Sequence, residues 1–436
     1  MTTPSCWKKW RVTLSKIQQK LSYYCIRACT YPIGFLPLSW IRFLGKGLGL
    51  LLFHTMKKYR KKTLSNIALA KDLSLSPQQV RAMAKKSMQN LAITALEYPK
   101  FSRTKRLEKY LTCQNPQSAQ ELAKQNIGIV FFCGHQANWE TLFLDGTLRM
   151  KGAAIAKTTK NPFLYKWIVS IRERNGGAII EQKRALKEGL SLLKKGVFLG
   201  ILGDQADPES AFSFPFFSRS TKISLAPAIL SYRSKGPMMV ATVKRSSKGY
   251  KIRYSDPIWP DQQKPLKQEV KRMMQQAWKH LETSIAKAPE EWLWQHNQYK
   301  QQNKKTVKPE FRHEAIFCIF HESTKDIYAH LSTLRKIYPD NFFFVAIPTS
   351  WEKPSADLGI EEVFSYQSEK DLLVEDYRFK FVLNFSPFSK IKRHFLRLSA
   401  FEVLSFEDIL AITNLPKNAC LKNVFIKAFC KQPIDW

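Results

Sequence analysis

A histidine and a carboxylate stand close together at His135 and Glu140, in the stretch Phe131-Phe132-Cys133-Gly134-His135-Gln136-Ala137-Asn138-Trp139-Glu140. An imidazole can take the proton of an attacking hydroxyl, and a nearby carboxylate can orient the ring and stabilise the imidazolium. The H-x-x-x-x-E spacing suits that task, with His135 as general base and Glu140 as its partner. A histidine at a strand end can equally be an ordinary packed side chain; the residues on the C-terminal side of this one favour chemistry.

The elements that must position the pair are a strand and a helix. Ile127 to Phe132 is an apolar run that reads as a buried strand. It stops at Gly134, and Asn138 opens a helix-like run, Trp139-Glu140-Thr141-Leu142-Phe143-Leu144. His135 therefore falls on a strand-to-helix turn. Backbone N–H groups of Gln136 to Trp139 at the new helix start are candidates to stabilise a developing oxyanion. From about residue 127 to 300 strand and helix alternate. Apolar runs lie at Ala153–Ile155, Ala178–Ile180, Val197–Leu202 and Met238–Val243, and Tyr250–Tyr254 alternates like a later strand. Helical stretches include Phe163–Glu173 and Leu186–Leu193. The pattern is α/β, with strands mainly buried between helices.

Composition narrows the partners. The 436 residues carry a formal net charge of +35, from 70 Lys+Arg against 35 Asp+Glu, with a pI near 9.9. That balance favours an anionic partner: nucleic acid, an anionic membrane face, a phosphorylated lipid or an acidic carrier protein. An aromatic fraction of 13% and no low-complexity tract exclude a disordered basic tail. Cys6, Cys25, Cys29, Cys113, Cys133, Cys318, Cys420 and Cys430 form no C-x-x-C pair and no zinc-ligand spacing. They suit a reducing compartment.

Residues 1–60 read as a membrane-associating segment. Met1 to Lys20 is basic and polar. Residues 31–53 are strongly apolar but interrupted by Pro32, Pro37, Arg42 and Lys46. A clean span needs about 20 apolar residues with few charges, so the stretch is expected to lie at the membrane interface or to span marginally. No small-residue cleavage site is evident. Lys57-Lys58-Tyr59-Arg60-Lys61-Lys62 comes next, as a lipid-headgroup contact would. Ser76-Pro77 predicts a helix start, with apolar periodicity at Val80, Met83, Met88 and Leu91.

Taken together, these residues resemble the lipid A late acyltransferases, the lauroyl/myristoyl transferase branch. The run Gly134 to Glu140 looks like that family's signature. Further pieces match in order: Asn161-Pro162-Phe163-Leu164, then Arg172 and Arg174 before Gly176-Gly177. Next come Gly203-Asp204-Gln205, Phe214-Pro215-Phe216-Phe217, and Ala288-Pro289-Glu290-Glu291-Trp292-Leu293-Trp294-Gln295-His296. The resemblance covers roughly residues 20 to 300.

It implies a glycerolipid-acyltransferase-like mixed sheet with flanking helices. It also implies an enzyme on the cytoplasmic face of the inner membrane. Such an enzyme moves a fatty acyl chain from acyl carrier protein to a hydroxyl of a Kdo-bearing lipid A precursor, a phosphorylated glycolipid. A thioester is already reactive, so no cofactor and no metal are expected; nor is a nucleic-acid partner. Asp204 and Gln205 fall in the family's active-site region, although Asp204 can also be a turn aspartate. Lys183 or Arg184 stands where the family has an arginine, and a lysine holds phosphate with less geometric precision. Arg172 and Arg174 are alternative anion contacts or a solvated helix face. With Asn138 these complete the expected substrate-binding set. Phe214-Pro215-Phe216-Phe217 is either an acyl-groove wall or a packed loop. The alternatives are a glycerophospholipid acyltransferase using the same pair, or a non-enzymatic basic protein binding membrane or nucleic acid.

The acyltransferase domain is placed at 61–300 and a polar linker at 301–308. Residues 309–436 are an additional α/β, Rossmann-like domain. Its strands are expected at Ala315–Phe320, Phe342–Ile347, Val363–Tyr366 and Phe379–Phe385, with a helix over Asp326–Ile337. Late acyltransferases stop before it. It weakly resembles the N-terminal half of certain lipopolysaccharide heptosyltransferases, and a non-catalytic docking or stabilising role is expected. His313, His321, His330 and His394 show no ligand spacing.

Overall fold

Continuous apolar runs become central strands because both faces of a parallel sheet are covered. That rule organises the computed structural model, which describes residues 4–300, 306–416 and 418–432, with side chains from residue 16. The chain divides into two compact units, each built from several stretches of sequence. The first comprises Met1–Leu52, Lys85–Gln205 and Ser224–Leu293; the second comprises Phe53–Ala84, Ala206–Ile223 and Trp294–Trp436.

The first unit holds a seven-stranded sheet. Its strands are β1 (Leu111–Cys113), β2 (Val130–Cys133), β3 (Gly152–Ala156), β4 (Ala178–Glu181), β5 (Phe198–Leu202), β8 (Met238–Ser246) and β9 (Gly249–Tyr254). In the second unit, β6 (Ser213–Phe216) and β7 (Arg219–Lys222) form a separate hairpin. The large sheet runs β1-β9-β8-β2-β5-β3-β4. All its pairings are parallel except the β8/β9 hairpin. The mixed α/β sheet expected from the sequence is present. β2 lies between β5 and β8 and is buried along its whole length. Phe131 and Cys133 face one core with Met239, Ala241 and Ile252. Phe132 faces the other, 6.3 Å from Trp278.

The apolar stretch 31–53 folds as a short turn, Pro32–Phe35, and a helix, Leu38–Thr55. Its small residues allow close packing: a Cβ on Gly45 would come 2.8 Å from the Cα of Ile93, and one on Gly49 would come 2.3 Å from that of Gln89. On the same unit, Trp40, Phe43, Leu44 and Leu51 remain exposed, Phe43 by 69%. No helix among the described residues is long and apolar enough to cross a membrane.

The helix predicted at Ser76-Pro77 runs Pro77–Arg103. Ser76 and Gln79 cap it reciprocally, at 2.8 and 3.3 Å.

The second unit contains a five-stranded, all-parallel sheet: β10 (Ala315–Ile319), β11 (Phe342–Pro348), β12 (Glu362–Tyr366), β13 (Phe381–Asn384) and β14 (Glu402–Ser405). Its order β12-β11-β10-β13-β14 is the 3-2-1-4-5 order of a doubly wound, Rossmann-like sheet. The expected helix over 326–337 is two pieces, Lys325–Tyr328 and Leu331–Ile337. Of the expected linker 301–308, residues 301–305 lie outside the described residues. Lys308 already packs on the last helix, its Nζ donating to the carbonyls of Lys427 and Ala428.

Two sequence expectations change in this unit. Phe214, Phe216 and Phe217 are buried, and Phe216 packs on Trp294 and Tyr299 at 6.1 Å. The cluster is a packed hairpin, not a groove wall. The basic run 57–62 is also partly committed. Arg60 donates to the carbonyls of Phe53 and His54, and Lys61 donates to Ala400 O at 2.6 Å. Burial lowers the pKa of Lys61 and Lys62. Only Lys57 and Lys58 among its basic residues are exposed.

Candidate active site

The site is built by two adjacent parallel strands ending in the same way. β2 and β5 pair with Cys133 opposite Leu202. Each strand is then followed by a glycine and a polar residue, Gly134-His135 on one and Gly203-Asp204 on the other. Register therefore sets His135 beside Asp204. Both glycines are needed for the close approach. A Cβ on Gly203 would come 2.7 Å from the ring of Phe132. One on Gly134 would come 2.9 Å from Leu281 and 3.3 Å from Asp204 Oδ2.

Asp204 is 1% exposed. Its Oδ1 lies 2.6 Å from His135 Nδ1. Its Oδ2 accepts the His135 backbone N–H at 2.7 Å and the Trp292 indole N–H at 2.9 Å. Burial pushes this carboxyl up, but the charge of His135 and these hydrogen bonds outweigh it and hold the carboxyl below its usual range. An ionised carboxylate accepts only, so Nδ1 carries a proton in either state of the ring, and Nε2 has a lone pair whenever the ring is neutral. Nε2 lies 3.3 Å from the side-chain amide of exposed Gln205. The ring thus has a buried, charged side and a second nitrogen facing an exposed residue. The neighbouring Cys133 thiol is pushed up to about 12, chiefly by burial, and does not supply a thiolate nucleophile near neutral pH.

The turn that carries His135 is clamped from outside. Leu293 N–H donates to His135 O at 3.0 Å, and Ala137 N–H to Glu291 O at 2.7 Å. Gln136 bridges Trp292 as an isolated antiparallel pair. Ala137 sits at φ 47°, a left-handed conformation unusual for alanine. Thr94 holds its carbonyl through a 2.9 Å hydrogen bond. Gln136 N–H is also committed, to Gly134 O at 2.8 Å. Of the four expected oxyanion donors, only the N–H groups of Asn138 and Trp139 have no acceptor among the described residues.

Glu140 does not partner the imidazole. It opens the helix Glu140–Arg149, and its two oxygens accept from Arg172 Nε at 2.7 Å and Nη2 at 2.6 Å. Trp139 Nε1 adds a third bond at 3.1 Å. Burial raises this carboxyl, yet the charge and hydrogen bonds of Arg172, with bonds from Tyr98 and Trp139, bring it below its usual range. The turn backbone between His135 and the first helical residue is irregular. Five residues of sequence therefore do not translate into one shared helical face, and the ring of Trp139 packs edge-on to the imidazole at 4.9 Å.

The other expected contacts fall into place accordingly. Arg172 is bound to Glu140 rather than free for an anion. Arg174 donates to the carbonyls of Phe101 and Thr104 and fastens backbone. Asn138 is buried: its Nδ2 donates to Glu97 at 2.7 Å, while its Oδ1 meets no partner. It lines a small cavity with Tyr98, Phe101, Glu140, Leu144, Ile171 and Arg172. Glu97, itself fully buried, also pairs with Arg42 Nε at 3.2 Å and with the Tyr250 hydroxyl. Lys183 and Arg184 are exposed in a turn after β4 at the sheet edge, and Arg184 pairs with Glu188 at 3.0 Å. Strands β5 and β3 separate β4 from β2.

Sequence reasoning missed Trp292 and Glu97 as site residues. The Trp292 segment was visible as a motif, but an indole pointing at an aspartate 88 positions away leaves no local trace. A lone Glu97 in a helical pattern reads as surface. No group of three His, Cys, Asp or Glu among the described residues could hold a metal ion.

A family model described as bacterial lipid A biosynthesis acyltransferase matches residues 12–301. Among curated proteins, the lipid A biosynthesis lauroyltransferase of Escherichia coli (strain K12) is similar. The two are 23% identical over 271 residues, which cover 61% of this chain and 87% of that protein.

Proposed function

Since the chain belongs to the bacterial lipid A biosynthesis acyltransferase family, we propose that it transfers a fatty acyl chain from acyl carrier protein to a hydroxyl of a lipid A precursor, with His135 as general base and Asp204 as its orienting carboxylate. One observation carries the assignment: the 2.6 Å contact between His135 Nδ1 and a buried, ionised Asp204. It holds the ring in the tautomer whose Nε2 can accept a proton, the logic of a serine-hydrolase triad without its serine.

In this reading the acceptor hydroxyl gives its proton to Nε2 as its oxygen attacks the thioester carbon. The carbonyl oxygen takes up negative charge, and the open N–H groups of Asn138 and Trp139 are the candidates to meet it. The carbon–sulfur bond then breaks. The carrier thiolate leaves and takes the proton back from the imidazolium. Asp204 stabilises that cation without being protonated itself. Glu140 and Arg172 neutralise one another and brace the turn.

The work site is the cytoplasmic face of the inner membrane. Before Asp72 the chain has 14 Lys+Arg and no acidic residue, which favours an anionic leaflet. The exposed Trp40, Phe43 and Leu51 suit the headgroup boundary. An acidic carrier protein and a phosphorylated glycolipid are both drawn to a basic surface.

The test is transfer in membranes holding the protein, lipid A precursor and acyl carrier protein thioesters, with the product weighed by mass spectrometry. His135→Ala and Asp204→Asn each sharply lower the rate at which the mass increment appears, in a folded protein. Wild-type transfer by His135→Ala would sink the reading. Acylation of lysophosphatidate in place of the lipid A precursor would move the enzyme to glycerophospholipid synthesis.

A further inference from the structure

The carboxylate behind the imidazole has a third donor besides the two N–H groups of His135. Trp292 is 1% exposed, and its indole N–H reaches Asp204 Oδ2 at 2.9 Å. The indole is not placed there by side-chain packing alone. Its backbone bridges Gln136, its carbonyl accepts from Ser87 Oγ at 2.9 Å, and the next residue, Leu293, donates to His135 O. One short segment therefore holds the catalytic turn by its backbone and the buried acid by its side chain.

The chemistry of the donor matters. An indole N–H donates only; it has no lone pair to offer and carries no charge. It can stabilise a carboxylate without competing for the proton that the imidazole must handle, while its bulk keeps water from the acid. We propose that Trp292 is a positioning residue for acyl transfer, whose N–H fixes which oxygen of Asp204 faces the imidazole and keeps that carboxylate ionised. The inference rests on Asp204 orienting the base.

Without that N–H, Oδ2 keeps a single hydrogen bond, from the His135 backbone. The carboxylate becomes more basic and binds the imidazolium more tightly. Both changes keep the ring protonated, and idle as a base, up to higher pH. The titratable groups that face Asp204 are the His135 ring and the Cys133 thiol. The thiol, at about 12, stays neutral throughout the range that matters. The acid limb of the rate profile therefore reports on the ring and its carboxylate together.

The experiment replaces Trp292 with β-(3-benzothienyl)alanine, which keeps the fused-ring shape and puts sulfur where the N–H was. Trp292→Phe is the second variant without a donor, and Asp204→Asn runs alongside. Acyl transfer is measured against pH, separating kcat from KM. We expect kcat to fall about tenfold, as for one hydrogen bond to a charged group. KM should stay within about twofold, and the acid limb of kcat/KM should move up by about half a pH unit or more. An acid limb superimposed on the wild type in both variants overturns the proposal, even if kcat falls, because that is the signature of a merely structural tryptophan. Asp204→Asn tells the two readings apart. Wild-type transfer there refutes the orienting role of Asp204 itself. Loss there with an unmoved limb in the tryptophan variants refutes only the role of Trp292.

Discussion

The Nδ1 atom of His135 and the Oδ1 atom of Asp204 meet at 2.6 Å although 69 residues separate them in sequence. Glu140, five residues from the histidine, is instead bound by both nitrogens of one edge of Arg172. Neighbours in sequence and partners in space are different residues here. The first prediction comes from that division. Asp204→Asn lowers kcat for acyl transfer by about 10²–10⁴-fold, since an amide in place of the acid lets the ring settle in the wrong tautomer. Circular dichroism on the same sample should remain native. If Asp204→Asn keeps full kcat, another group orients the ring.

Glu140→Gln is expected to act on stability first. It leaves the Arg172 guanidinium, 19% exposed, without its counter-charge. Breaking a largely buried ion pair in this way costs about 3–5 kcal/mol. Chemical denaturation should show that loss near neutral pH, together with a lowered melting temperature. A Glu140→Gln protein as stable as wild type would remove the bracing role.

The same pair sets a pH dependence. The folded carboxyls of Glu140 and Asp204 both titrate below their ordinary range. A group held low in the folded state adds stability that is complete above its unfolded value, about 4. That contribution is lost as pH falls through the lower folded value. Unfolding free energy should therefore be insensitive to these two groups above about pH 5 and drop steeply below about pH 4. In Glu140→Gln the acid drop should be shallower. An identical slope in both proteins contradicts the assignment.

Gly203→Ala should be poorly tolerated. Its new methyl meets the Phe132 ring at 2.7 Å and the Pro227 ring at 3.3 Å. Phe132 is fully buried on a central strand and has no room to turn aside. Overpacking of this kind costs about 1–3 kcal/mol, and here it also displaces Asp204. Melting and kcat should fall together; a neutral effect on both means the strand ends can separate without consequence.

Phe43→Ser combined with Leu51→Ser tests the exposed apolar face of the helix Leu38–Thr55. Both side chains are more than half exposed. Removing two large apolar groups from an interfacial face should weaken binding to anionic vesicles by roughly tenfold or more. Folding should be unaffected, because neither side chain belongs to the core. Sedimentation with vesicles checks it, and unchanged partitioning assigns the membrane contact elsewhere.

Much of this molecule is written locally. The runs 127–132, 153–155, 178–180, 197–202 and 238–243 each became a strand. In the central strands, from the runs 127–132, 197–202 and 238–243, burial on both faces demands continuous apolar sequence, and that signal survives in any single sequence. Ser76-Pro77 marked its helix for a similar reason, since capping and a fixed proline φ are properties of adjacent residues. The short β14 strand, Glu402–Ser405, escaped notice because four residues with two apolar positions carry almost no periodic signal. The basic run 57–62 misled because charge in sequence does not reveal that Lys61 is bonded to the carbonyl of Ala400.

For the site, sequence alone determined the α/β class, the strand-to-helix turn and the histidine at its head, because each depends on residues next to one another. It also supplied both carboxylates and the Trp292 segment as ordered pieces of a family pattern. Only the tertiary structure decided which carboxylate serves the ring. That choice rests on the pairing of Cys133 with Leu202, which carries His135 and Asp204 past two glycines to the same level of a parallel sheet. A hydrogen-bond register between strands so distant in sequence leaves no mark in local composition or spacing; it exists only once the sheet has formed.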